Sequence, residues 1–175
     1  MTTITQNLIL QFIDLALSEL TGEWIIIGGA VPHLLGSGER PTLDIDLAGP
    51  DSATQADTLK LMAIAEKLGL PIESINQAAS FFLKRIPDWQ SNLVIIRSNT
   101  KCKIFRPNIE LFFKLKLQRA SESDVLDLMS MWKLEADKEK LRARISEICE
   151  SCIKSADQPV KARVETLRSL IRSMS

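Results

Sequence analysis

The stretch that decides the fold runs Trp24-Ile25-Ile26-Ile27-Gly28-Gly29-Ala30-Val31-Pro32-His33-Leu34-Leu35, then Gly36-Ser37-Gly38-Glu39-Arg40-Pro41, then Thr42-Leu43-Asp44-Ile45-Asp46-Leu47. Three consecutive isoleucines without polar alternation predict a short strand from Glu23 to Gly28, buried on both faces, because β-branched side chains suit extended backbone. Gly28-Gly29 breaks that strand. A short helix over Ala30 to Leu35 follows, with Pro32 tolerated in the first turn, where its missing N–H has no intrahelical partner to lose. Beyond the loop, Thr42 to Leu47 alternates polar and apolar with period two, the pattern of a half-buried strand. That alternation sends Leu43, Ile45 and Leu47 to the core and Asp44 and Asp46 together to the opposite face.

Working outward, Leu8, Phe12, Leu15, Leu17 and Leu20 recur near helical spacing until Gly22 ends the pattern. A second helix is predicted from Ser52 to Leu68, its face drawn through Leu59, Met62, Ala63, Glu66 and Lys67, with Gly69 as its stop. Residues 71–88 carry no clear period beyond a short helix near Ala78 to Leu83. Asn92 to Arg97 and Lys101 to Arg106 form a hairpin candidate joined by Ser98-Asn99-Thr100. From Ile109 onward the pattern is helical over Glu110–Gln118, Glu122–Leu134, Asp137–Lys154 and Val160–Met174. This order predicts an α+β fold: a small mixed sheet flanked by helices over residues 1–107, and a helical C-terminal region, residues 108–175, packed on that core.

Lysine plus arginine and aspartate plus glutamate each total 22, so no global basic surface argues for nucleic acid or an anionic membrane. The longest apolar run falls far short of the roughly 20 residues that span a bilayer. The N-terminal residues carry neither a basic region nor a small-residue cleavage site, and three cysteines cannot build a disulfide framework. A cytoplasmic location without a membrane is the expectation.

The chemistry concentrates on two neighbouring elements. Asp44 and Asp46, at i and i+2 of a strand, would have Cα atoms roughly 6.6 Å apart. Their carboxylates can then converge on one Mg²⁺ or Mn²⁺, or on two such ions. Glycine at positions 28 and 29 lets a phosphate approach the backbone, and the first N–H groups of the following helix lack intrahelical partners. Donors for phosphate beside carboxylates for its metal are what nucleotidyl transfer requires.

The run Ile27-Gly28-Gly29-Ala30, Gly36, Arg40, Thr42, Asp44-Ile45-Asp46-Leu47 resembles the nucleotidyltransferase superfamily, in particular its minimal bacterial branch of abortive-infection-type toxins and a related uncharacterised family. Lys116-Leu117, Arg119, Asp124 and Asp127 resemble a helical segment of the same branch. The resemblance implies ATP or another NTP with Mg²⁺, and transfer of a nucleoside monophosphate to a hydroxyl on protein, RNA or a small molecule. It assigns phosphate contacts to Gly28 and Gly29, with Arg40 and Thr42 beside the nucleotide, metal binding and catalysis to Asp44 and Asp46, and a phosphate or a structural acid to Lys116. It also implies a toxin or defence role, with an antitoxin-like protein partner or an RNA acceptor. Active members carry a third carboxylate on a later strand as general base. Neither hairpin strand has one, which leaves Glu110, just past the second, as the substitute. A module that binds nucleotide or a protein partner without catalysis is the alternative.

The remaining candidates read as structural. His33, the sole histidine, is flanked by Pro32 and Leu34 and is expected to pack. Cys149 and Cys152 lie inside a helical pattern without the further ligands zinc needs. Ser121 to Asp124 forms a capping box, so Asp124 has a role without chemistry. The basic final helix is expected to pack through Val164, Leu167 and Ile171.

Overall fold

A computed structural model describes residues 3–78 and 80–174. Helix α1 (Gln6–Glu19) leads into strand β1 (Gly22–Ile27), short helix α2 (Ala30–Leu34) and strand β2 (Ile45–Ala48). Helix α3 (Gln55–Lys67), strand β3 (Ile75–Asn76), one-turn helix α4 (Ser80–Leu83) and the hairpin β4 (Leu93–Ser98) and β5 (Cys102–Pro107) follow. Helices α5 (Ile109–Leu117), α6 (Glu122–Leu134), α7 (Lys138–Ser155) and α8 (Gln158–Ser173) complete the chain. The architecture is mixed α+β, with helices around a five-stranded mixed sheet of order β3-β2-β1-β5-β4 and a helical C-terminal region.

Strand β1 is central and buried from Trp24 to Ile27, as its unbroken apolar run requires. It pairs antiparallel with β2 and parallel with β5. Trp24 and Ile26 join a large core with α1, α3 and the C-terminal helices, whereas Ile25 and Ile27 join a smaller cluster with Ala48, Leu83, Ile86 and Leu111. Both sheet faces are therefore covered, and each fully buried isoleucine contributes about 1.5–3 kcal/mol. Trp132, Ile145, Val164, Leu167 and Ile171 belong to the same large core as Ile26 and Leu47, so the helical region and the sheet share one interior. The final helix buries Val164, Leu167 and Ile171, the stripe read from its sequence.

Three details depart from the periodic reading. β2 begins at Ile45, so Asp44 precedes the strand and is exposed. Upstream, Thr42 is turned inward, its carbonyl accepting from the Ile4 N–H at 3.0 Å and its hydroxyl donating to the Asp44 carbonyl at 3.4 Å. Leu43 is consequently 41% exposed rather than in the core. The buried stripe of α3 is Leu61, Ile64 and Ala65, while Leu59 is exposed, because the stripe is set by the large core and not by the longest side chains. In α1 the buried positions are Ile9, Phe12, Ile13 and Ala16, with the predicted leucines at its flanks.

Candidate functional site

The Gly-Gly turn sits at the end of β1, where Ile27 pairs with Asp46 of β2. Gly28 has φ +71°, and a Cβ built there would lie 1.9 Å from Asp46 Oδ2. The carboxylate thus occupies the space a side chain at position 28 would need. A Cβ on Gly29 would lie 2.8 Å from Arg40 Nη2 and 2.9 Å from Thr42 Oγ1. Gly28, Gly29, Arg40, Thr42 and Asp46 are therefore brought to one place by non-local packing. Helix α2 has only five residues, so its dipole is short and cations must supply most of any anion recognition.

Ile45 and Leu47 anchor β2 in the large core, which leaves Asp46 on the thinner face covered by α4 and α5. Here it lines a cavity of about 320 Å³ with Gly28, Asn76, Phe82, Lys116 and Arg119. The Asn76 amide donates to Asp46 Oδ1 at 2.9 Å while its own oxygen accepts from the Ala78 N–H at 3.0 Å, which fixes the amide's orientation. Asp46 Oδ2 accepts no hydrogen bond from the described residues. Burial raises the Asp46 pKa above the ordinary aspartate value, and the nearby Asp44 charge adds to this. The Asn76 bond and the charges of Lys116 and Arg119 only partly offset it.

Opposite stands a cage built from the helical region. Lys116 Nζ donates to Asp124 at 3.1 Å and to Asp127 at 2.6 Å, with all three residues buried. Arg119 grips Asp124 through two nitrogens at 2.8 and 2.9 Å. Arg40 grips Asp127 likewise, at 2.8 and 2.7 Å. Ser121 and Asp124 form the capping box that the sequence predicts. Burial alone would raise the Asp124 pKa, but bonds from Arg119, Ser121 and Lys116 outweigh it and hold the carboxyl well below the usual range. Three cations on two carboxylates leave one positive charge in excess beside Asp46. Of the two partners the resemblance allows for Lys116, the side chain reaches structural acids; Arg40 likewise ties the 36–41 loop to α6.

No strand after β2 brings an acid beside Asp46 among the described residues. Strand β3, the neighbour of β2, sets Asn76 opposite Asp46, and no acid lies on β5. Glu110 is not brought to the cleft: in the first turn of α5 its carboxylate pairs with Arg144 of α7 at 3.0 Å. Asn76 was not legible as a site residue, because a two-residue strand shows no period. Phe82, which lines the same cavity, lies in the same segment without a period. No cluster of three or more metal-ligating side chains occurs among the described residues. A half-buried carboxylate with an open oxygen nonetheless fits Mg²⁺, which is commonly held by one or two carboxylates plus substrate phosphates.

A larger cavity of about 620 Å³ lies between α5 and the α7–α8 junction and shares Arg85 and Gln118 with the Asp46 cleft. Its one acid, Asp157, caps α8, so size alone does not mark the chemistry. His33 Nε2 lies 2.6 Å from the Arg40 carbonyl and braces the loop. Cys149 is buried in the core and the Cys152 thiol donates to the Leu117 carbonyl at 3.4 Å. Among the described residues no helix is long and apolar enough to cross a membrane. In comparison with known proteins, no family model, no curated protein and no solved structure matches the chain.

Proposed function

We propose that the chain is a Mg²⁺-dependent nucleotidyltransferase that binds an NTP, ATP being the first to test, at the Asp46 cleft and transfers its nucleoside monophosphate to a hydroxyl, with pyrophosphate as the leaving group. One observation carries the reading: Asp46 Oδ2, without a hydrogen-bond donor among the described residues, lies against the Gly28 α-carbon in a cleft that also holds Lys116 and Arg119. Glycine at 28 is required for that approach. Bound Mg²⁺ would supply charge neutralisation at the phosphates. Asp46 would hold the ion, with exposed Asp44 as its second carboxylate, and Lys116 and Arg119 would face the phosphates.

A second reading, nucleotide binding without transfer, is favoured by Asn76 and by the pairing of Glu110 with Arg144. Neither β3 nor β5 offers an acid to accept the proton of an attacking hydroxyl. Calorimetric titration with Mg-NTPs, followed by incubation with labelled NTPs and cell extract, separates the two. Label transfer abolished by Asp44→Ala and by Asp46→Ala supports the enzyme; binding without transfer supports the module. No binding of any Mg-NTP would reject both.

A further inference from the structure

Among the described residues, two of the exposed large hydrophobic side chains are aromatic, and they are adjacent. Phe12, Phe112, Phe113, Trp24 and Trp132 are buried, whereas Phe81 and Phe82 are 57% and 48% exposed. They occupy α4, a single turn of helix. Leu83 takes the buried position in that turn, inside the smaller cluster. The two rings meet edge to face at 5.6 Å, and the Arg85 guanidinium lies 3.9 Å over Phe81. Gln118 Nε2 donates to the Phe82 carbonyl at 3.3 Å, tying the turn to the end of α5.

Phe82 lines the same cavity as Gly28, Asp46, Lys116 and Arg119, which gives that cavity an aromatic wall as well as a charged one. An exposed phenylalanine face has no hydrogen-bonding capacity to justify its place beside charged groups, but it offers stacking area to any planar ring whose polar end they hold. Resting on the nucleotide reading above, we infer that Phe82 is the stacking platform for the nucleobase, with Phe81 and Arg85 bracing it from behind. A phenylalanine ring presents no donor or acceptor pattern, so the platform selects nucleotides over bare phosphates without choosing strongly among bases.

The test is titration of wild type, Phe82→Ala and Phe82→Trp with Mg-ATP, Mg-GTP and Mg-tripolyphosphate. Phe82→Ala is expected to weaken both nucleotides by about ten- to a hundredfold, the usual worth of one base–aromatic stack, while leaving tripolyphosphate unchanged. Phe82→Trp is expected to retain or improve nucleotide binding. Equal nucleotide affinity in wild type and Phe82→Ala overturns the inference and leaves the nucleotide site standing. So does an equal loss of tripolyphosphate binding, which would mean that the ring only supports the turn. If wild type distinguishes neither nucleotide from tripolyphosphate, the ring serves another occupant, such as a protein partner. If wild type binds none of the three, the nucleotide reading itself falls.

Discussion

Asp124 and Asp46 line the same cleft, yet Asp124 receives hydrogen bonds from Lys116, Arg119 and Ser121 whereas Asp46 receives one, from the Asn76 amide. The first carboxyl is held well below its usual range; the second is pushed above it, chiefly by burial. The fold thus satisfies one acid and leaves its half-buried neighbour short of hydrogen-bond donors. A fully paired carboxylate fixes structure. On the proposed reading, one held half-buried with an open oxygen would take the cation that comes with a nucleotide.

Substitutions should separate these roles. The largest effect is expected at the cage: Asp124→Asn leaves Lys116 with a single acid and Arg119 with none, and should cost about 3 kcal/mol in denaturant unfolding at pH 7. Because the native pKa of Asp124 is depressed, its contribution is full above the unfolded value of about 3.9 and is lost as pH falls from there through the lower native value. The gap between wild type and variant should therefore close in acid. A gap that persists unchanged at pH 3 would show that charge pairing is not its origin.

A smaller effect is expected at the turn. Gly28→Ala combines positive φ with a Cβ driven into Asp46 Oδ2, and should cost about 1–3 kcal/mol. It should also weaken Mg-NTP binding, since the carboxylate must move. The smallest effect, of opposite sign, belongs to Asp46→Asn. A carboxylate with a raised native pKa favours folding only below its unfolded value, and that contribution is lost as pH rises through the native one. Removing the charge should make the ligand-free protein slightly more stable at pH 7. A clear loss of stability there would mean that Asp46, like Asp124, is structural.

What could be read from sequence was what is local. The triple isoleucine made β1, Gly28-Gly29 ended it, Ser121 and Asp124 capped α6, and the four C-terminal helices fell within a few residues of their periodic patterns. What escaped depends on distant partners. The period-two pattern through Thr42 and Leu43 is broken by the Ile4 bond to the Thr42 carbonyl, a contact no window over the strand contains. The resemblance puts Arg40 beside the nucleotide, and its pairing with Asp127, 87 positions away, lies outside any local window. Asn76 stood in a segment with no period, and its importance comes only from register with Asp46. The paired phenylalanines at 81 and 82 carried no local signal either, since the adjacent Phe112 and Phe113 are both buried.

The most direct test is carboxyl-carbon NMR titration of Asp46 and Asp124 in the ligand-free protein and with saturating Mg-ATP. Asp46 should titrate above the ordinary aspartate value without ligand and fall below it when Mg-ATP binds, while Asp124 stays low in both states. An Asp46 that already titrates low without ligand, or that does not move when Mg-ATP is added, would contradict the account.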